Sequence, residues 1–104
     1  MVVQNIIFFE NKNGVGESIH SLNVRAEELI LECNSDGTFS LEVWGGVKTA
    51  STHLFAWDEN IDMSKTISNN GLYKVDIAGL GVINVKLISN TGSTTVIATA
   101  NGGS

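Results

Sequence analysis

The acidic segment Asp58-Glu59-Asn60-Ile61-Asp62 carries oxygen-bearing side chains at alternate positions, as many calcium-binding loops do at their start. Asp58, Asn60 and Asp62 are therefore the candidate metal ligands. The glycine turn and the distal glutamate that complete a helix-loop-helix calcium site do not follow. A solvated acidic turn is the commoner role of such a segment, so the sequence predicts no resident metal and no other cofactor.

The other residues that could carry catalysis occur singly. His20 and His53 have no second histidine at ligand spacing, and each is predicted to be a partly buried, hydrogen-bonded side chain. Cys33 alternates with Leu29 and Leu31, which favours a buried apolar role over a reactive thiolate. No serine or cysteine lies in a nucleophile-elbow pattern. The sequence therefore predicts a protein that is not an enzyme.

The two tryptophans are the candidate binding side chains. Trp44 is predicted to lie on the outer face of its strand, whereas Trp57 is predicted to share one strand face with His53 and Phe55. An exposed indole ring can stack on a sugar or anchor a protein interface. If the register is shifted by one residue, both rings are core residues instead.

Alternation of apolar and polar residues predicts the strands that would position these side chains. Glycine-rich and asparagine-rich turns separate strands near 2–10, 17–25, 27–33, 38–44, 52–57, 62–67, 71–78, 82–89 and 94–100. The inward-facing residues of three of them are predicted to be Phe39, Leu41, Val43, Tyr73, Val75, Ile77, Ile83, Val85 and Leu87. The pattern predicts an all-β fold, a single antiparallel β-sandwich that is jelly-roll-like with about eight strands.

The opening run, residues 6–9 (IIFF), is apolar on both sides of its strand. We therefore expect this strand to be covered on both faces or to pair with a neighbouring subunit. Ile6, Phe8 and Trp44 are the candidate interface residues, since a closed symmetric oligomer would bury them.

Composition limits the class of protein and its partners. The 104 residues suffice for one domain spanning residues 1–104, with a frayed tail at 101–104. The net charge of −5 and the scattered basic residues disfavour nucleic acid and anionic membrane surfaces. No apolar run reaches the roughly 18 residues that span a bilayer. Residues 1–9 lack the features of a signal peptide, so synthesis in a cytoplasm is expected.

Two segments of the chain resemble small virion proteins of tailed bacteriophages. They are residues 39–45 (FSLEVWG) and 66–80 (TISNNGLYKVDIAGL), and the strands at 82–89 and 94–100 complete the resemblance. It implies a β-sandwich that serves as a head-decoration, head-fibre or tail-appendage component and is often oligomeric. Residues 45–52 (GGVKTAST) depart from the loop that such proteins carry, so no binding role is transferred to them.

The leading hypothesis is a non-enzymatic structural protein of a bacteriophage particle. It would self-associate and attach to the capsid or tail, with itself and other virion proteins as partners. Its location would be the virion, after synthesis in the host cytoplasm. The alternative is a carbohydrate-binding module that stacks surface glycans on Trp44 and Trp57.

Overall fold

Ten β-strands build the described part of the chain, which comprises residues 2–23, 25–58 and 63–102 of the computed structural model. They are β1 (Val2–Asn13), β2 (Gly16–Ser21), β3 (Glu28–Ser35), β4 (Phe39–Gly46), β5 (Thr52–His53), β6 (Ala56–Trp57), β7 (Met63–Ser64), β8 (Gly71–Asp76), β9 (Val82–Asn90) and β10 (Ser93–Gly102). Within these ranges no helix is long and apolar enough to cross a membrane. The predicted all-β sandwich is confirmed, with ten strands rather than the expected eight or so.

The strands form two antiparallel sheets. The six-stranded sheet has the order β1-β10-β3-β8-β6-β7, and the four-stranded sheet has the order β2-β9-β4-β5. The pairing is nested along the chain, because β1 pairs with β10, β2 with β9 and β3 with β8. Nested pairing of this kind arises when a long antiparallel hairpin folds into two packed sheets. It gives the strand order of a jelly-roll-like sandwich.

The core between the two sheets follows the alternation in the sequence. The residues predicted to face inward on β4 and β9 are buried, namely Phe39, Leu41, Val43, Ile83, Val85 and Leu87. Gly45 continues the inward row of β4, and a Cβ there would lie 2.8 Å from Leu80 Cδ1 and 2.9 Å from Leu54 Cδ1. The missing side chain is therefore what lets these two leucines pack over the end of the core.

A bulge in β1 changes which residues of the opening run face the core. Ile7 pairs with Ile97 and Phe9 pairs with Val96, so Phe8 is the extra residue of the bulge. Because the bulge shifts the alternation, both Phe8 and Phe9 are buried. Of this run, only Ile7 is exposed.

The strand predicted at 52–57 is divided between the two sheets. β5 pairs with β4 in the four-stranded sheet, whereas β6 pairs with β8 in the six-stranded sheet. The chain crosses from one sheet to the other between His53 and Ala56. The prediction that His53, Phe55 and Trp57 share one strand face is therefore wrong, because His53 and Trp57 belong to different sheets.

The predicted frayed tail is partly ordered by strand pairing. Gly102 pairs with Val2, and Asn101 pairs with both Val3 and Glu28. The remaining two residues of the predicted tail lie outside the described part of the chain.

Two isoleucines of β9 test whether the core supplies the stability. Ile83→Ala should lower the free energy of unfolding by about 2–5 kcal/mol, because Ile83 is fully buried and its truncation leaves a cavity. Ile88→Ala is the matched control, since Ile88 is exposed on the same strand and should cost about 1 kcal/mol or less. Urea unfolding followed by circular dichroism measures both, and equal losses would contradict the assignment of this core.

Candidate interaction surface

The outer face of the six-stranded sheet carries apolar side chains from all six of its strands. Directly paired residues of antiparallel strands point to the same side of a sheet, so the register identifies this surface. One row across it runs Ile7, Ile97, Glu32, Leu72, and the neighbouring row runs Asn5, Thr99, Ile30, Lys74, Trp57, Met63. We name this surface the apolar face and define it by Ile7, Ile30, Trp57, Met63, Leu72 and Ile97.

The apolar side chains of this face are open to solvent. Ile7, Leu72, Met63 and Ile97 are 58%, 57%, 55% and 38% exposed, and Ile30 and Trp57 are half-buried. A shallow groove of about 460 Å³ runs between the rows and is lined by β1, β3, β8 and β10. The outer face of an antiparallel sheet is usually polar, and a contiguous exposed apolar patch commonly marks an interaction site.

Few charges interrupt the apolar face. Glu32 is an exposed carboxylate between Ile97 and Leu72, and Lys74 lies on the adjacent strand in the next row. The Lys74 ammonium is 3.3 Å from the Glu28 carboxylate at the margin of the face. The face therefore combines apolar contact area with one acidic and one basic group near its centre.

The outer face of the four-stranded sheet, which we name the charged face, carries more charged side chains, although Ile19 on this face is 62% exposed. Its polar side chains lie close to one another: the Lys86 ammonium is 3.7 Å from the Glu17 carboxylate, and the His53 imidazole is 4.0 Å from the Glu42 carboxylate. Asn84 donates to Glu17 across 3.4 Å from a buried position. The polar groups of this face are thus largely engaged within the chain.

Trp44 lies at the centre of the charged face. Its indole stacks on the His53 ring at 4.8 Å between centroids with an interplanar angle of 8°, and the Lys86 ammonium lies 4.3 Å from its centroid. Because β5 and β9 flank β4 on opposite sides, these two groups approach the indole from opposite sides. The Trp44 Nε1–H donates to Glu42 across 2.9 Å. The ring is therefore half-buried and held by the chain's own side chains.

The structure distributes the predicted site residues over both outer faces and the core. Ile6 and Phe8, which we predicted at an interface, are buried core residues, because both lie on the inner face of β1. Trp57 lies on the apolar face, so the two tryptophans are on opposite sides of the sandwich. A ligand of sugar size cannot contact both rings at once, so each tryptophan would have to bind a glycan separately.

Most residues of the apolar face were missed by the sequence analysis. Ile97 lies in Val96-Ile97-Ala98, where apolar residues occupy both strand faces, and this signal could have revealed it. Leu72 is an apolar residue on the otherwise polar face of β8, opposite to Tyr73 and Val75. It is a comparable signal of an apolar outer face. Ile7 belongs to the two-sided opening run, in which Ile6 and Phe8 were the predicted interface residues.

Of the three candidate metal ligands, only Asp58 lies in the described part of the chain. Asp58 is half-buried, and Asn60 and Asp62 lie outside the described part of the chain. In residues 2–23, 25–58 and 63–102, no group of three or more His, Cys, Asp or Glu side chains is placed to hold a metal ion.

The two histidines and the cysteine have the structural roles that their positions predicted. His20 is hydrogen-bonded to Ser18 at 3.0 Å, and His53 Nε2 lies 2.6 Å from the Lys65 carbonyl oxygen. Cys33 is buried in the core, and this burial raises the pKa of its thiol from 9.0 to about 12, with a smaller contribution from the Glu32 carboxylate. The thiol therefore stays protonated and shielded at neutral pH.

The fold is shared with two solved structures from prophages. The SPBc2 prophage-derived protein YomS superposes with a TM-score of 0.85 and 18% identity, over 95% of this chain and 92% of that chain. The PBSX exported protein XepA superposes with a TM-score of 0.84 and 19% identity, over 95% of this chain but 37% of that chain. No protein-family model and no curated protein matches the chain. The predicted resemblance to small β-sandwich proteins of bacteriophages is confirmed at the level of the fold.

Substitution of Trp44 tests the network of the charged face. Trp44→Phe keeps a ring beside His53 but removes the Nε1–H donor to Glu42, and should lower the free energy of unfolding by about 1 kcal/mol. In a Glu42→Ala background the same substitution should cost distinctly less, because the acceptor is already gone. Urea unfolding of the four proteins measures the coupling, and equal costs in both backgrounds would show that the bond contributes nothing.

The buried thiol predicts a stability change at alkaline pH. Because its pKa is higher in the folded chain, the contribution of Cys33 is fully present below pH 9.0 and is lost as the pH rises from there toward about 12. Wild-type protein should therefore lose more stability than Cys33→Ala between pH 8 and pH 10.5. Urea midpoints at these two pH values measure the difference, and parallel losses in both proteins would refute the assignment.

Proposed function

We propose that the chain is a non-enzymatic structural component of a bacteriophage particle. It would self-associate through the apolar face and attach to a capsid or tail as a decoration or fibre component. The fold similarity to proteins of the SPBc2 and PBSX prophages supports the phage origin. The apolar face is the observation that carries the structural role.

The size of the exposed apolar surface supports a role in assembly. Full burial of one large aliphatic or methionine side chain contributes roughly 1.5–3 kcal/mol. Ile7, Leu72, Met63 and Ile97 are each more than a third exposed, so their joint burial against a partner would contribute several kcal/mol. Association costs roughly 4–15 kcal/mol of lost freedom, so this gain offsets the lower end of that cost, and the polar contacts around the four side chains would have to supply the rest.

The side chains that could carry catalysis contact their own neighbours or are buried, and this supports a non-enzymatic role. His53 contacts Trp44 and the Lys65 carbonyl, and His20 contacts Ser18 and the edge of the Phe8 ring. Cys33 is buried. Catalytic groups need access to a substrate, whereas these three side chains bind their own neighbours.

Copurification with particles tests the proposed function. Phage particles released from cells that encode the chain would be banded on a density gradient, and the chain would be quantified by mass spectrometry relative to the major capsid protein. We expect the chain to band with intact particles at a constant ratio to the capsid protein across the peak. A chain that stays in the soluble fraction at the top of the gradient, while particles band below it, would overturn the proposal.

A further inference from the structure

The placement of Glu32 and Lys74 makes the apolar face self-complementary. Glu32 pairs with Leu72 across β3 and β8, and Ile30 pairs with Lys74 one row away. These four residues form a small parallelogram, with the two charged residues on one diagonal and the two apolar residues on the other. A two-fold axis lying over the Ile30–Leu72 diagonal would bring Glu32 of one copy close to Lys74 of the other.

Glu32 is the group that requires an explanation. Its carboxylate is exposed between Ile97 and Leu72 and forms no ion pair with the residues that the structure describes. Covering an apolar surface that contains an unpaired charge costs several kcal/mol, unless the partner supplies the opposite charge there. Lys74 is 58% exposed despite its contact with Glu28, so its ammonium can also reach a second carboxylate.

We propose that the apolar face binds the same face of a second copy of this chain, about a two-fold axis that pairs Glu32 of each copy with Lys74 of the other. The inference rests on the self-association in the proposed function and adds the partner, the symmetry and the contacts. An isologous interface requires a surface that is complementary to itself, and this face holds both members of the charge pair among apolar residues.

The broad side of the molecule is large enough for this contact. The chain measures 39 × 28 × 21 Å along its principal axes. A stable protein interface buries about 800 Å² on each partner. Six strands about 4.8 Å apart make the sheet roughly 24 Å wide, and the ten residues of β10 extend over roughly 34 Å, so a face-to-face pair can approach this area.

Charge reversal with rescue tests the pairing. Glu32→Lys or Lys74→Glu would place like charges together at two symmetric positions, and each should raise the dimer Kd about 100-fold, tenfold for each pair. The double variant E32K/K74E restores both pairs in reverse and should bring the Kd back to within about tenfold of wild type. Glu17→Lys, a charge reversal on the charged face, is the matched control and should leave the Kd unchanged.

A cysteine crosslink tests the axis without altering the charges. Leu72 lies close to the proposed axis, so two copies of Leu72→Cys should form an intermolecular disulfide under mild oxidation. Ile19→Cys, at an exposed position of the charged face, should not. The native Cys33 is buried and does not interfere.

Light scattering coupled to size exclusion gives the mass of each variant, and far-UV circular dichroism establishes that it is folded. A two-subunit mass, loss by either single reversal and rescue by the double variant are the expected results. A wild-type monomer at high micromolar concentration, a ring with an odd number of subunits, or an absence of the Leu72→Cys crosslink would each overturn the inference. A monomer would also contradict the self-association in the proposed function, whereas attachment to particles is measured separately by copurification. An odd-numbered ring or a missing crosslink would overturn the face-to-face pair alone, so the two failures are distinguishable.

Discussion

The six-stranded sheet is apolar on both of its sides, and the rest of the structure depends on this constraint. Its inner residues, such as Leu31, Val75 and Val96, are covered by the four-stranded sheet and form the core. A second sheet can cover only one side, so Ile7 and Leu72 remain at the surface. The same transfer of apolar area from water therefore stabilises the fold on one side and, in the proposed pair, would stabilise the interface on the other.

The two outer faces differ in how their charges are satisfied. On the charged face, Glu17, Glu42, Lys86 and His53 lie near one another around Trp44, so the chain supplies its own partners. On the apolar face, Glu32 is left without an ion pair among the described residues. On the charged face the charges are paired within the chain. On the apolar face the Glu32 carboxylate, unpaired among the described residues, is suited to a partner that supplies the opposite charge.

The sequence was informative where the signal was local. Alternation along residues 71–87 predicted the strands and their inward faces, because the side-chain period of two is a property of a single strand. Ile83 and Val85, for example, are buried as their phase required. The same rule placed Trp44 on an outer face, although it could not show that His53 and Lys86 would cover the ring.

The failures concern relations between strands that are distant in sequence. The bulge at Phe8 depends on the register of β1 against β10, and no residue of the opening run signals it. The division of 52–57 depends on which sheet each short strand joins, which a two-residue strand cannot specify by its own pattern. Ile6 and Phe8 were predicted at an interface but lie in the core, and Trp57 lies on the side of the sandwich opposite Trp44.

The position of β10 between β1 and β3 has a consequence for synthesis of the chain. β1 and β3 leave the ribosome long before the strand that separates them, and until then each presents an unpaired edge. Sheet formation must therefore wait for contacts between residues more than sixty positions apart, such as Ile97 with Glu32, which slows folding. Nascent chains of this protein are thus exposed to edge-to-edge pairing with one another, and a cell that makes many copies at once must keep them apart until β10 inserts.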